Sequence, residues 1–302
     1  MRKKLFVIFF FLIIGFFFYQ VKSLRPSVWD GSSRINFVFS AQTVAVASLE
    51  TGNNLVIFKL PENLYLEVFH EFGQYQLGSV YELGKLEGKG GELLGETVQE
   101  YLGVPIGGYI RIANSKWQIV NSKKFILNWL ILSTLGRGET NFSQWDLLRF
   151  WWSIKSLRSD KVIFIDLEET NILSEKRLPD ESLIFETEFF RLDELVGKYF
   201  KNSRIEKEGI EVEILNATEH LGLANRVARL VMNMGGEIIS IGNADNKIRN
   251  SKFEIRNEEI KKSYTVRKLE KVLGIKAEIG EMDKSRADLL ILIGEDYWEK
   301  IK

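Results

Sequence analysis

The sequence predicts an α/β protein: an N-terminal membrane helix, a mixed sheet with flanking helices, and then a small β-α-β-β-α-β-β domain. Three observations predict this class. An uncharged apolar stretch opens the chain, short apolar runs alternate with helix-like segments over residues 35–200, and a strand–helix–strand pattern covers Glu211–Asp245. Alternation of polar and apolar residues indicates strands, and apolar spacings of three and four indicate helices.

The composition excludes several classes of function. The chain has 302 residues, and its 41 Lys and Arg balance its 41 Asp and Glu. This balance argues against a general polyanion-binding protein, and no basic face for nucleic acid is expected. The lack of cysteine excludes a disulfide scaffold, a thiolate metal site and a cysteine nucleophile. His70 and His220 are far apart in the sequence and are expected to be ordinary polar residues, so no metal site is predicted.

The first residues predict a membrane anchor. Three basic residues occupy the tail over residues 1–4, and residues 5–21 carry no charge. A stretch of 17 residues is at the lower limit of the length that a membrane-spanning helix needs. The alternative is a cleaved signal peptide with a poor cleavage signal at Val21–Ser23. Because basic tails stay in the cytoplasm, we expect a single-pass protein with its bulk extracytoplasmic and residues 22–34 as a linker.

Residues 35–200 follow the pattern of a sheet with helices. Thr43–Ser48 and Leu55–Leu60 are predicted strands joined by a tight turn. Leu93, Leu94, Val98 and Leu102 share a face of the predicted helix at Gly91–Leu102, and Tyr109–Ala113 is the next predicted strand.

This order of elements resembles the LytR-CpsA-Psr (LCP) domain. The matching stretches are the strand pair ending at Pro61, QLGSVY at Gln76–Tyr81, and GGELLGETVQEYLGVPIGGYIRI at residues 90–112. The resemblance implies a membrane-anchored, extracytoplasmic protein. In active members it implies transfer of a polyprenyl-pyrophosphate-linked glycopolymer onto peptidoglycan, by arginines and aspartates with a divalent cation.

The polar positions of that family are mostly replaced in this chain. The substitutes for its Asp, Arg, Lys and Asn residues are Gln42, Glu62, Asn63, Gln76, Gly78 and Gly107. A pyrophosphate is held by arginine or by a carboxylate-bound metal, and Glu62 would instead repel it. The sequence therefore predicts a degenerate LCP-like domain over residues 35–200, with no catalytic residues and no cofactor.

An active enzyme remains the alternative. The family places arginines and an Asp-x-x-Arg motif near the middle of its domain, and Arg137, Asp146 and Arg149 have that spacing. If the transferase is active, these three residues would be catalytic and Mg²⁺ would be its cofactor. Asp146 and Arg149 also fit an ordinary ion pair of one helical turn, which is the interpretation we prefer.

A tryptophan-rich helix is predicted to follow a capping box at Ser143–Asp146. Its apolar surface is wider than one stripe; the residues are Trp145, Leu148, Trp151, Trp152 and Ile154. We expect a core helix whose tryptophan side chains are buried and fill space in the core. The alternative is a groove for lipid or a patch resting on the membrane.

Residues 201–209 are a predicted linker, and residues 210–298 resemble the LytR C-terminal domain. The matching stretches are VEILNAT at Val212–Thr218, the glycine-flanked helix and strand at Gly222–Asp245, and RADLLILIGEDY at Arg286–Tyr297. The resemblance implies a place in the cell envelope and no particular chemistry.

Asn216 and Thr218 are weak candidates for ligand binding. They follow the first strand of this domain and precede its helix, where backbone N–H groups can hold an anion. A turn closed by local side-chain hydrogen bonds is the interpretation we prefer.

The sequence as a whole predicts a non-catalytic envelope protein that is anchored in the membrane. Its expected partners are the membrane, peptidoglycan or another cell-wall glycan, or an envelope protein, and not nucleic acid. The alternatives are the LCP-type phosphotransferase and a purely structural partner of such an enzyme.

Overall fold

A computed structural model of the protein describes residues 27–41, 43–112, 123–179, 181–280, 282 and 285–302. The predicted tail, the anchor at residues 5–21 and Gln42 lie outside the described residues. Within the described residues, no helix has the length and apolar character needed to span a bilayer.

The first part of the chain is built on a six-stranded mixed sheet. Its order is β7-β6-β1-β2-β3-β8, with β1, β2 and β3 antiparallel and with β6 and β8 parallel to their neighbours β1 and β3. Two hairpins, β4–β5 and β9–β10, lie outside it. The strands are β1 (Ile35–Ser40), β2 (Val44–Glu50), β3 (Asn54–Leu60), β4 (Tyr65–Val68), β5 (Gly73–Gln76), β6 (Tyr109–Arg111), β7 (Glu139–Thr140), β8 (Val162–Asp166), β9 (Leu173–Arg177) and β10 (Leu183–Thr187).

Helices cover both faces of this sheet. They are α1 (Leu77–Lys85), α2 (Gly90–Leu102), α3 (Lys123–Thr134), α4 (Gln144–Ser156) and α5 (Phe189–Tyr199). Because side chains alternate along a strand, Val46 and Phe58 pack toward α1, α2 and α5, whereas Ala47 and Ile57 pack toward α3 and α4. Burial on both faces explains why β2 and β3 are apolar throughout.

The second part is a five-stranded sheet of order β12-β11-β15-β13-β14, in which only β13 and β15 pair antiparallel. Its strands are β11 (Glu211–Asn216), β12 (Glu237–Asn243), β13 (Lys252–Ile255), β14 (Ala277–Ile279) and β15 (Leu289–Ile293). Its helices are α6 (Ser203–Glu208), α7 (Leu223–Asn233), α8 (Glu258–Lys262), α9 (Tyr264–Leu273) and α10 (Glu295–Ile301). The mixed α/β class is confirmed. The short helices α8 and α10 were not predicted, and α6 lies within the predicted linker.

The tryptophan-rich helix α4 differs from its prediction. The capping box forms as predicted, since Ser143 Oγ accepts from the Asp146 N–H and the Asp146 carboxylate accepts from the Ser143 N–H. Leu147, Phe150 and Ile154 enter the core. The prediction that the tryptophans are core bulk is wrong for Trp145 and Trp152, whose side chains are exposed, and Leu148 is exposed as well.

A guanidinium joins the two parts of the molecule. Arg229 on α7 pairs with Asp193 on α5 at 2.8 Å and donates to the carbonyls of Glu100 (2.7 Å) and Tyr101 (2.8 Å) at the end of α2. Ser203 Oγ also donates to Glu50 at 2.6 Å. Charged hydrogen bonds of this kind are stronger than neutral ones, so the two sheets are held in a defined relation.

Candidate functional site: a basic cleft

A cleft of about 480 Å³ opens between the two parts of the chain. One wall is the segment that leads into β1, with the turn at Pro105–Gly107 beside it, and the other wall is α9. The size is within the range of about 300–1,000 Å³ that small-molecule pockets usually have. The polar residues of its lining are Asp30, Ser33, Arg34, Asn36, Gln99, Arg204, Tyr264, Arg267, Lys268 and Lys271.

Helix α9 presents a basic stripe to this cleft. Tyr264, Arg267, Lys268 and Lys271 follow each other at spacings of three, one and three residues, which places them on one face of a helix. The opposite face carries the apolar residues that enter the core, Val266, Leu269 and Leu273. The two-sided pattern of α9 therefore fixes which way its cations point.

Two lysines of the stripe reach across the cleft to the opposite wall. Lys268 Nζ donates to the Arg34 carbonyl at 3.4 Å, and Lys271 Nζ donates to the Val28 carbonyl. Burial lowers the pKa of Lys268, and the nearby charge of Lys271 lowers it further. The charge of Asp30 opposes these two effects without reversing them, so a bound anion would stabilise this cation further.

Arg34 anchors the opposite wall. It is almost fully buried, and its guanidinium donates to Glu50 (2.8 Å), Ser48 (2.7 Å) and Asn54 (3.0 Å). Burial lowers the pKa of Arg34, and the charge of Glu50 opposes that shift. Burial raises the pKa of Glu50, but bonds from Ser203 and the charge of Arg34 outweigh it, so the net shift is downward. Arg34 is thus neutralised by its pair and adds little net positive charge to the cleft.

The charge of the lining favours an anion. Five cationic side chains line the cleft and Asp30 is the single carboxylate among its lining residues. Asp30 is itself bound by the N–H groups of Ser32 and Ser33, each at 2.8 Å. Arg204 lies over the ring of Tyr264, with 4.5 Å from its Cζ to the centroid, so it has a defined position. Partly dry clefts lined by one sign of charge concentrate ligands of the opposite sign.

Asp146 and Arg149 are two of the residues of the transferase alternative. Both bind the segment Ser27–Trp29, which precedes β1 and is called the chain entry below. The Asp146 carboxylate accepts from Ser27 Oγ (2.5 Å) and from the N–H groups of Val28 (3.1 Å) and Trp29 (3.2 Å). Arg149 donates to Ser27 Oγ (3.2 Å) and to the Trp29 carbonyl (2.8 Å). The two side chains form no ion pair with each other, in contrast to the interpretation preferred from the sequence.

Of the other residues compared with the LCP pattern, Gly107 lines the basic cleft, whereas Glu62, Asn63 and Arg137 do not. Glu62 is exposed in the turn after β3, and its carbonyl accepts from the N–H of Gly78 in the first turn of α1 at 2.9 Å. Helix α1 packs on the sheet face opposite to α4, so Glu62 and Arg149 do not share a pocket. Arg137 is exposed after the end of α3. Asn63 donates to the Leu183 carbonyl at 3.3 Å.

Asn216 and Thr218 form a closed turn. Asn216 Oδ1 accepts from the Thr218 N–H (3.1 Å) and Oγ1 (2.8 Å), and Asn216 Nδ2 donates to the His220 carbonyl (2.8 Å). This is the local hydrogen bonding that we preferred for these residues. Neither residue lines the basic cleft.

The basic cleft was not predicted from the sequence. A signal was present in the Tyr264, Arg267, Lys268 and Lys271 spacing, which a count of charges by helix face would have found. The total charge of the chain is zero and gave no indication of this local group of cations. The opposite wall had no such signal, because Asp30 and Arg34 are more than 200 residues away from α9 in the sequence.

Comparison with known proteins identifies the second part of the chain. Residues 209–297 match the family model LytR_C, described as LytR cell envelope-related transcriptional attenuator. The predicted LytR C-terminal domain is thereby confirmed, and the match takes in all five strands of the second sheet. No curated protein matches the chain.

Several solved structures are distantly similar. The transcriptional regulator YvhJ from Bacillus subtilis has a TM-score of 0.43 and 14% identity, over 54% of this chain and 94% of that one. TagV from B. subtilis has a TM-score of 0.43 and 11% identity, over 55% and 95%. TagT from B. subtilis has a TM-score of 0.42 and 14% identity, over 57% and 91%.

Proposed function

We propose that this chain, whose residues 209–297 form a LytR C-terminal domain, is a cell-envelope protein that binds an anionic cell-wall polymer without altering it chemically. In this proposal residues 5–21 anchor the protein in the membrane, its bulk is extracytoplasmic, and residues 35–200 are a degenerate LCP-like domain. The observation that carries the proposal is the basic cleft.

The cleft chemistry supports a ligand with phosphate or carboxylate groups. Arg204, Arg267 and Lys271 supply guanidinium and ammonium donors, which pair with such groups through charged hydrogen bonds. An envelope polymer with repeated anionic groups meets this requirement and also agrees with the predicted glycan partner. No cation is needed for such binding, because the protein itself provides the positive charge.

The geometry of the other candidate residues supports binding rather than transfer. A transferase needs arginine and carboxylate groups that are available to a pyrophosphate and its metal. The Asp146 side chain is fully buried and its oxygens accept bonds from Ser27, Val28, Trp29 and Ser143. Two of the three residues that the transferase alternative requires, Asp146 and Arg149, therefore already have structural partners.

The test is retention of the full-length protein, in detergent, by isolated cell walls. We expect walls that carry their anionic polymers to retain the protein and walls stripped of those polymers to retain less. The variant R204S/R267S should lose most of the retention, whereas the control K276S/R286S, which removes two exposed cations outside the cleft, should keep it. Equal retention of both variants would overturn the proposal.

The non-catalytic part of the proposal has its own test. The protein is incubated with a polyprenyl-pyrophosphate-linked glycan and a divalent cation, and release of the polyprenyl phosphate is measured. We expect no release above the blank. Release that disappears in R149A would establish the transferase instead.

A further inference from the structure

Helix α4 exposes a narrow apolar stripe that the core does not use. Trp145, Leu148 and Trp152 are exposed by 53%, 48% and 69%. At 100° per residue these three positions fall within about 60° of the helix circumference. Two large aromatic side chains in water on one stripe are unfavourable unless something covers them.

The charges beside the stripe have one sign. Arg149 and Lys155 lie on either side of it, and both are exposed. Asp146 is the single acidic residue of α4 and is fully buried under the chain entry. An apolar stripe rich in tryptophan with cationic borders is the pattern of a helix that lies in the headgroup region of an anionic membrane.

The stripe lies on the helix that holds Ser27, and Ser27 follows the apolar stretch at residues 5–21 closely in the sequence. Ser27 is bonded directly to Asp146 and to Arg149, in the first half of α4. Residue 27 follows the end of the 5–21 stretch by six residues, a span of at most about 20 Å even when fully extended. If that stretch is in the bilayer, α4 cannot be far from its surface.

The neighbouring helix α3 also exposes apolar side chains. Lys123 at the start of α3 donates to the carbonyls of Lys155 and Leu157 at the end of α4, so the two helices are antiparallel. The exposed Ile131 and Leu135 at the end of α3 therefore lie toward the start of α4.

We infer that the α4 stripe of Trp145, Leu148 and Trp152 rests in the outer headgroup layer of an anionic membrane and fixes the orientation of the protein above it. The inference rests on the membrane anchor of the proposed function. The two contacts, anchor and stripe, would hold residues 27–200 against the bilayer.

The experiment places the full-length protein in vesicles that contain anionic lipids with brominated acyl chains, and measures quenching of tryptophan fluorescence. We expect strong quenching of the parent protein. In W145F/W152F the quenching should fall by at least about half, because indoles at the membrane interface are the ones that bromine reaches. The control W298F removes the tryptophan stacked on His220 in the second part of the chain, and its fluorescence should be quenched as strongly as that of the parent protein.

Each other outcome has a definite meaning. A protein that remains in the vesicles after alkaline extraction but shows equal quenching in W145F/W152F overturns this inference and leaves the anchor intact. A protein that is extracted overturns both. A dimer in detergent that W145S/L148S/W152S converts to a monomer, without lipid quenching in the parent, would assign the stripe to a second copy. Loss of binding to cell walls would test only the proposed binding in the cleft and would leave the inference about the α4 stripe unchanged.

Discussion

At the scale of single residues, Asp146 connects parts of the chain that are far apart in sequence. Its carboxylate holds the backbone of Val28 and Trp29 as well as the N-cap of α4. Burial raises the pKa of Asp146, but hydrogen bonds from Ser27 and Ser143 and from the backbone outweigh it, so the pKa is below 3.8. The spacing Asp-x-x-Arg, which resembles a catalytic motif, is here explained by attachment of the chain entry.

Replacing this carboxylate should destabilise the protein. In D146N an amide donor meets N–H donors, and the expected loss of unfolding free energy is about 1–3 kcal/mol at pH 7. Since the folded pKa is depressed, this stabilisation is present above the unfolded value near 3.8 and is lost as the pH falls through the folded pKa. Urea unfolding of the detergent-solubilised protein should show a difference that is constant above about pH 5 and narrows below pH 4. A difference that does not depend on pH would contradict the ionised role of Asp146.

The sequence predicts an element correctly where its apolar residues lie on a single face, because only one orientation then buries them. The alternation of Val212 and Ile214 with acidic residues predicted β11, whose burial follows it. Helix α9 has a polar and an apolar face, so its cations were predictable in principle.

Helix α4 was harder to predict for a physical reason. It has apolar residues around most of its circumference, so burying Leu147 and Phe150 or burying Trp145 and Trp152 are both consistent with its sequence. Packing against the sheet decided between them. The cleft itself depends on how the two sheets dock, and no local pattern encodes that contact.

Also at the scale of elements, Arg229 should control the docking of α7 against α2 and α5. In R229A the carbonyls of Glu100 and Tyr101 and the carboxylate of Asp193 lose their donor. We expect the amide groups at residues 101–104 to exchange hydrogen at least about threefold faster, because local opening becomes easier. Hydrogen exchange read by mass spectrometry measures this, with R286A as the exposed control. Unchanged exchange in R229A would show that the other contacts of the junction hold it without this guanidinium.

At the scale of the whole molecule, the basic cleft is a product of two separate cores. The first core supplies the wall around Arg34, and the second supplies α9 with its stripe. A protein with balanced total charge can therefore concentrate positive potential in one place. The chain entry at Ser27, the stripe on α4 and the cleft would together set how far above the membrane a wall polymer is held.

Binding of an anionic wall polymer in the basic cleft is tested by the affinity of the full-length protein for a soluble, phosphate-bearing wall polymer, determined by calorimetric titration at low and high salt. We expect binding that weakens as salt rises and that is at least about tenfold weaker in R267E, with R286E unchanged. Binding that is insensitive to salt and equal in the parent protein, R267E and R286E would contradict it.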